Sequence, residues 1–241
     1  MKLSTNTPLD KMLNGGIEDD AITNVYGPAG SGKTNIVLCT VLNCIRQGYP
    51  SGGKKMESWR KNVIYIDTEG SFSLERFRQL GGREKELEHI MFLNPSTWRE
   101  QHTQILKLEK IIKKDTGLIA IDSLVALYRL ELDQNNFQKV NKQLATQYSV
   151  LSKITRQYKI PVIVTNQVYG HRSGLNEERI ELTSNTIGKY WGKALIELQK
   201  LERDNTRVAI LRKHRSIPEG KKIEFEIVGN GLKSIGKFGL F

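Results

Sequence analysis

This sequence has little of what a disulfide-stapled, metal-stapled or membrane-embedded chain requires. Its 241 residues include two cysteines, Cys39 and Cys44. They lie five apart in a stretch that reads as helix, a spacing that suits neither a disulfide nor a metal pair, so both are read as reduced core thiols. No run of roughly eighteen or more apolar residues occurs, and Met1-Lys2-Leu3-Ser4-Thr5-Asn6 holds no apolar signal core, which together predict a cytoplasmic protein without membrane contact. Internal repeats and low-complexity tracts are missing as well. Acidic residues are in deficit: 26 Asp and Glu face 37 Lys and Arg, giving a formal charge of +11. That excess favours a polyanionic partner. From residue 187 onward twelve cations face six acids, so over half of the excess sits in under a quarter of the chain. A basic face is expected there, with an ordinary solvated surface as the bland alternative.

What is present is an alternation. Short β-branched runs at residues 22–26, 63–67, 90–93, 118–122 and 162–166 are separated by amphipathic stretches at 35–46, 74–80, 98–113 and 137–158. This is the pattern of parallel strands joined by crossover helices. Pro161 breaks the last helix before the fifth strand. Beyond Gly188 the runs 194–201, 207–211 and 223–228 read as antiparallel strands. The expected fold class is therefore α/β, with a mostly parallel central sheet flanked by helices and antiparallel C-terminal strands, in one domain over 1–241. Segments 48–61, 129–136 and 168–186 read as exposed loops. The last is about nineteen residues, long for a passive connection, and marks a segment that is functional, disordered or both.

Gly27-Pro28-Ala29-Gly30-Ser31-Gly32-Lys33-Thr34 follows an apolar strand and opens a helix, the context a phosphate-binding P-loop needs. Its glycines let consecutive amides and the helix N-terminus surround phosphates. Lys33 supplies a mobile cation for the β and γ phosphates, Thr34 a hydroxyl for magnesium, and Asn35 continues the nucleotide-contacting turn. ATP and Mg2+ are the implied ligands. Leu118-Ile119-Ala120-Ile121-Asp122 is an apolar strand ending in an acid, placing Asp122 as the magnesium-side carboxylate. Glu69, after the strand between them, is the candidate to deprotonate or orient the attacking water. Gln167, at the end of the fifth strand, places an amide in the same crevice to report the γ phosphate to the following loop. Each has a bland competitor: a strand-terminating acidic turn for Glu69, a cap for Gln167.

Tyr65-Ile66-Asp67-Thr68-Glu69-Gly70-Ser71-Phe72-Ser73-Leu74-Glu75-Arg76-Phe77 closely resembles the matching segment of RecA-family recombinases of archaea and eukaryotes. Leu9-Asp10-Lys11-Met12-Leu13-Asn14-Gly15-Gly16 resembles the segment before their P-loop. Asp122-Ser123-Leu124-Val125-Ala126-Leu127-Tyr128-Arg129 resembles their Walker B strand and first DNA loop, and the residues from Pro161 to Val168 their last core strand. The resemblance implies a RecA-like P-loop ATPase core and, since the P-loop begins at residue 27, a chain without the N-terminal helical DNA-binding domain or the oligomerisation segment of the full recombinase. Lys213-His214-Arg215-Ser216-Ile217-Pro218-Glu219-Gly220 is typical of the short accessory members. Two departures stand out: a long 48–61 connection, and no Gly-Gly pair around 186–188.

By position, Arg76 is implied to stack on adenine, against the alternative of an ordinary surface arginine. The two loops offer cations and rings for single-stranded DNA: Tyr128 and Arg129 in the first, Tyr169, His171, Arg172 and Arg179 in the second, with Lys189, Tyr190, Trp191 and Lys193 just after it. Tyr190 and Trp191 also fit a core role. Lys213 and Arg215 share the Lys-x-Arg spacing by which related ATPases reach a neighbour's γ phosphate; on an extended segment both would point the same way, toward a neighbouring subunit or DNA.

Three functions compete on this reading: a recombination mediator with weak ATPase activity, an active DNA-dependent ATPase or strand-exchange enzyme, and a P-loop kinase for a small metabolite. No arginine-rich lid suits the kinase, and the missing N-terminal domain favours the mediator. Single-stranded DNA, a RadA-type recombinase or another repair protein are the implied partners; a homo-oligomer is left open. Lys33→Ala is expected to abolish or strongly weaken ATP binding while the fold survives, because the ammonium faces phosphate and not the core. Equilibrium titration with labelled ATP checks this, and wild-type affinity in the variant would remove the P-loop assignment.

Overall fold

The computed structural model describes residues 1–47, 49–50, 59–132, 135–173, 177–182, 185–202 and 205–235, with the side chains of 49–50, 59–60, 168–173, 177–182 and 185–186 excepted. Ten strands make the main sheet: β1 (Ile22–Gly27), β2 (Asn62–Asp67), β3 (Ile90–Leu93), β4 (Thr116–Asp122), β5 (Val162–Ser173), β6 (Glu177–Leu182), β7 (Ala194–Lys200), β8 (Thr206–Lys213), β9 (Lys222–Val228) and β10 (Gly231–Ser234). Their order is β10-β9-β8-β7-β1-β5-β4-β2-β3, with β6 paired to the outer half of β5. Neighbours from β7 across to β3 run parallel, while β8, β9 and β10 add antiparallel to one side. The first C-terminal strand thus differs from the antiparallel expectation: β7 is parallel to β1 on one side and antiparallel to β8 on the other.

β1 and β4 are buried along their whole lengths because helices cover both faces, which is why they read as unbroken apolar runs. Helices α1 (Leu9–Met12), α2 (Lys33–Gln47), α3 (Leu74–Gln79) and α4 (Glu84–Leu87) precede α5 (Trp98–Leu106), α6 (Leu108–Ile111), α7 (Ala126–Glu131), α8 (Phe137–Tyr158) and α9 (Asn185–Trp191). One face of the sheet packs on α2, buried without interruption from Ile36 to Ile45, and on the N-terminal residues Leu3, Leu9, Met12 and Leu13. The other face packs on α5, α7 and α8, where Val140, Leu144, Tyr148, Leu151 and Ile154 recur at helical spacing. A buried polar knot ties this second layer to the sheet: Asn166 Nδ2 donates to Asn24 Oδ1 at 2.9 Å and to the Tyr148 hydroxyl at 3.3 Å. α8 ends where Lys159 turns left-handed at φ 51, ahead of Pro161.

Three expectations are corrected. The helix read over 98–113 is broken at Lys107, whose amide bonds both Thr103 O and Gln104 O, and Ile112 is already extended; no Gly or Pro marks the break, which the turn back into β4 imposes. The loop read over 129–136 begins as helix, since α7 runs to Glu131; residues 133–134 lie outside the described residues. The loop read over 168–186 is largely a two-stranded arm in which β5 runs on to Ser173 and β6 returns, setting Arg179 opposite His171. Its sequence carries no apolar alternation, so strand periodicity does not reveal it. Of segment 48–61, residues 49–50 pair with 59–60, and 48 and 51–58 lie outside the described residues.

The core makes a direct stability prediction. Leu151 is fully buried while Leu130 is 83% exposed, so Leu151→Ala should cost about 2–5 kcal/mol in urea unfolding and Leu130→Ala well under 1 kcal/mol. Equal midpoints for the two variants would contradict the packing of α8.

Candidate nucleotide site

The loop of residues 27–34 joins β1 to α2 at the C-terminal edge of the parallel strands, where β1 lies between β7 and β5. Such a crevice is where open α/β sheets bind ligands. Close packing demands glycine here: a Cβ on Gly27 would lie 2.4 Å from Leu198 O of β7, and Gly32 takes φ +99. Ser31 is fully buried, and its hydroxyl has no hydrogen-bond partner. Lys33 Nζ folds back to donate to Gly27 O and Pro28 O, each at 2.9 Å. Burial holds this ammonium below the ordinary lysine range; the carboxylates of Asp122 and Glu69 oppose the shift, and the Lys200 cation adds to it.

Asp122, 3% exposed at the end of β4, is the hub. Its Oδ2 accepts from Thr34 Oγ1 at 2.7 Å, from Ser71 Oγ at 3.0 Å and from Tyr65 OH at 3.4 Å, while its Oδ1 accepts from Thr165 Oγ1. Burial and the adjacent Asp122 carboxylate keep the Tyr65 phenol protonated well above its usual range. Glu69 is exposed, and its Oε1 accepts from Ser123 Oγ at 2.5 Å, beside the residue that follows Asp122. The turn carrying Glu69 is set by Asp67, which accepts from the amides of Ser71 and Phe72, both at 3.0 Å. Gln167 is partly buried on β5 directly across from Gly27. The sequence-predicted set Lys33, Thr34, Glu69, Asp122 and Gln167 therefore converges on one crevice.

The family described as Rad51 matches residues 1–235 of this chain. The chain belongs to the Rad51 family. It is 37% identical over 236 residues to the DNA repair and recombination protein RadB of Methanobrevibacter smithii, covering 96% of this chain and 95% of that protein. It is 40% identical over 233 residues to the RadB of Methanococcus maripaludis strain C7, covering 95% and 99%. The crystal structure of the RadB recombinase superposes with a TM-score of 0.77 at 34% identity, covering 97% of this chain and all of that one.

Within this Rad51-family scaffold Arg76, on α3, is committed in the plane of its guanidinium. Nε donates to Asn35 Oδ1 at 2.6 Å, Nη1 to Gly229 O at 2.8 Å and Gln79 Oε1 at 3.0 Å, and Nη2 to Val228 O at 3.0 Å. Four of its five N–H groups are thus bonded within the chain. Sequence reasoning missed Ser71, Thr165, Tyr65 and Ser123 around Asp122 and Glu69; the signal was polar side chains at the ends of apolar strands. It also missed the β7–β8 hairpin against the loop: Arg207 Nε donates to Gly30 O at 3.1 Å, and Lys200 Nζ lies 3.1 Å from where a Gly30 Cβ would stand.

Of the DNA-loop candidates, those with described side chains lie in different settings. Tyr128, expected as an exposed stacking ring, is 4% exposed; its hydroxyl donates to Asn141 Oδ1 at 2.5 Å and its ring meets Trp98 at 5.7 Å. An aromatic in α7, next to the core, pays its way by packing, which leaves no open face for a base. Arg129 is partly buried. Tyr169, His171, Arg172 and Arg179 lie on the β5–β6 arm with side chains outside the described residues. Lys189 is exposed on α9. Lys213 and Arg215 diverge, contrary to the shared direction expected of them, because β8 ends at Lys213. Lys213 Nζ donates to Lys189 O at 2.7 Å, whereas Arg215 pairs with Glu18 at 2.8 Å and with Asp20.

Arg76 gives the test of this geometry. Arg76→Lys keeps the charge but loses the planar fork joining α3 to α2 and the end of β9, and should lower unfolding stability by about 1–2 kcal/mol. Wild-type stability by urea titration would show that the fork carries no net weight.

Proposed function

We propose that this chain binds ATP with magnesium at residues 27–34 and serves as a DNA-binding accessory protein of homologous recombination and repair, with weak ATPase activity. The observation that carries it is the hydrogen bond from Thr34 to Asp122 across 88 residues of sequence, which assembles the P-loop hydroxyl and the strand-end carboxylate into one site. The recombination role is drawn from the similarity to proteins named RadB.

The residues present fit the cofactor. The orphaned, buried Ser31 hydroxyl and the glycine-lined loop suit a phosphate, and a hydroxyl beside a carboxylate is a hard-oxygen pair of the kind magnesium takes. Bound ATP and magnesium supply an electrophilic terminal phosphate; everything else falls to this chain. Lys33, now on the carbonyls of Gly27 and Pro28, would hold phosphate oxygens, Thr34 and Asp122 would hold the metal, and Arg76 would offer a cationic face to the base. Glu69, oriented by Ser123, takes or directs the proton of a water, and Gln167 senses the site beside Gly27 on the strand that continues into the β5–β6 arm. Single-stranded DNA and a RadA-type recombinase are the partners that suit the +11 charge and the family. No described helix is long and apolar enough to cross a membrane.

The test is ATP hydrolysis with and without single-stranded DNA, by wild type and Glu69→Gln. The variant should bind ATP as wild type does and hydrolyse it about a hundredfold more slowly. Equal rates would make Glu69 structural, absence of ATP binding by the wild type would overturn the nucleotide assignment, and strand exchange by the chain alone would overturn the accessory role.

A further inference from the structure

Of the tyrosines that the sequence offers for DNA, Tyr128 is buried, whereas Tyr190, for which a core role is the sequence alternative, is 70% exposed on α9. Its ring meets Trp191 at 5.5 Å and 84°, a T-shaped contact that fixes the ring without enclosing it. Lys189 and Lys193 flank it and are both exposed. Lys213 reaches in from β8 and is anchored on the carbonyl of Lys189. Burial and the nearby Lys193 both hold the Lys213 ammonium below its usual range, with Glu219 as the opposing acid. None of the three lysines forms a salt bridge among the described residues. The repulsion between Lys193 and Lys213 is a cost that a polyanion would relieve. An open, oriented ring with flanking cations is the combination that takes an unpaired base and its phosphates; a duplex, whose bases stay stacked, could use the lysines but not the ring.

We propose that Tyr190, with Lys189, Lys193 and Lys213, is a docking surface for single-stranded nucleic acid, the ring stacking on one unpaired base and the lysines holding the adjoining phosphates. The proposal rests on the reading of the chain as a DNA-binding protein and locates part of that binding outside both loops. α9 packs against α8 and β6, so the surface adjoins the β5–β6 arm and can continue a strand's path from it.

The experiment is fluorescence anisotropy of a labelled single-stranded oligothymidine at several salt concentrations. Tyr190→Ala should weaken binding between about fivefold and a hundredfold with an unchanged salt slope, and Tyr190→Trp should restore it. Against an abasic strand of the same length, wild type and Tyr190→Ala should bind alike. Lys189→Gln combined with Lys193→Gln should reduce the log–log salt slope by about 1.4. Wild-type affinity of Tyr190→Ala for the oligothymidine overturns the proposal, as does equal weakening on the abasic strand, which marks a structural role. If light scattering shows that Tyr190→Ala dissociates a dimer while DNA affinity is unchanged, the surface belongs to a second copy and the proposal also falls. A wild type that binds no single strand at all is a different failure, that of the DNA-binding reading itself.

Discussion

The carboxylate of Asp122 is the point on which the architecture of the site depends. Buried at the end of β4, it collects four hydroxyls from four separate segments: Thr34 at the start of α2, Tyr65 in β2, Ser71 in the following turn and Thr165 in β5. A buried charge without partners would be strongly unfavourable, so these donors are a condition of its being there. Their arrangement also holds the first turn of α2, and with it Lys33, in fixed relation to the turn that presents Glu69. One cluster thus both satisfies the buried carboxylate and fixes the geometry of the crevice.

That cluster exists because of strand order. β1 stands between β7 and β5, and β4 lies next to β5, so the C-terminal ends of sequence-distant strands open on one crevice. The register of the parallel strands then sets Gly27 beside Gln167 and Asp67 beside Asp122. β5 does not stop at the crevice. It runs on as the arm it forms with β6, giving a continuous hydrogen-bonded path from the phosphate loop's neighbour to the segment beside α9. On the opposite side the β7–β8 hairpin brings Lys200 and Arg207 against Gly30, so the loop is braced by its own chain on both flanks.

Charge is distributed with the same economy. Arg215, read from sequence as a cation free to reach a partner, is held by Glu18 and Asp20 near the N-terminus. Lys213 instead bonds the carbonyl of Lys189, the residue before the exposed Tyr190, within electrostatic reach of Lys193. The two halves of one Lys-x-Arg motif thus serve different ends, Lys213 at the α9 surface and Arg215 in an internal ion pair.

The sequence by itself determined the α/β alternation, the phosphate loop and its strand-loop-helix setting, and the strand ending in Asp122. Each is written in contiguous residues whose chemistry is local: apolar periodicity for the elements, glycines and Lys33 for the loop. Only the tertiary structure decided which side chains face solvent and which distant groups meet. The sequence offers both Tyr128 and Tyr190 for DNA, and packing against Trp98 buries one while α9 leaves the other open. The arm of β5 and β6 was illegible because hydrogen bonds between strands, unlike burial, leave no mark on side-chain pattern. The direction of Arg215 was illegible because it depends on where β8 ends and on acids nearly two hundred residues earlier in the chain.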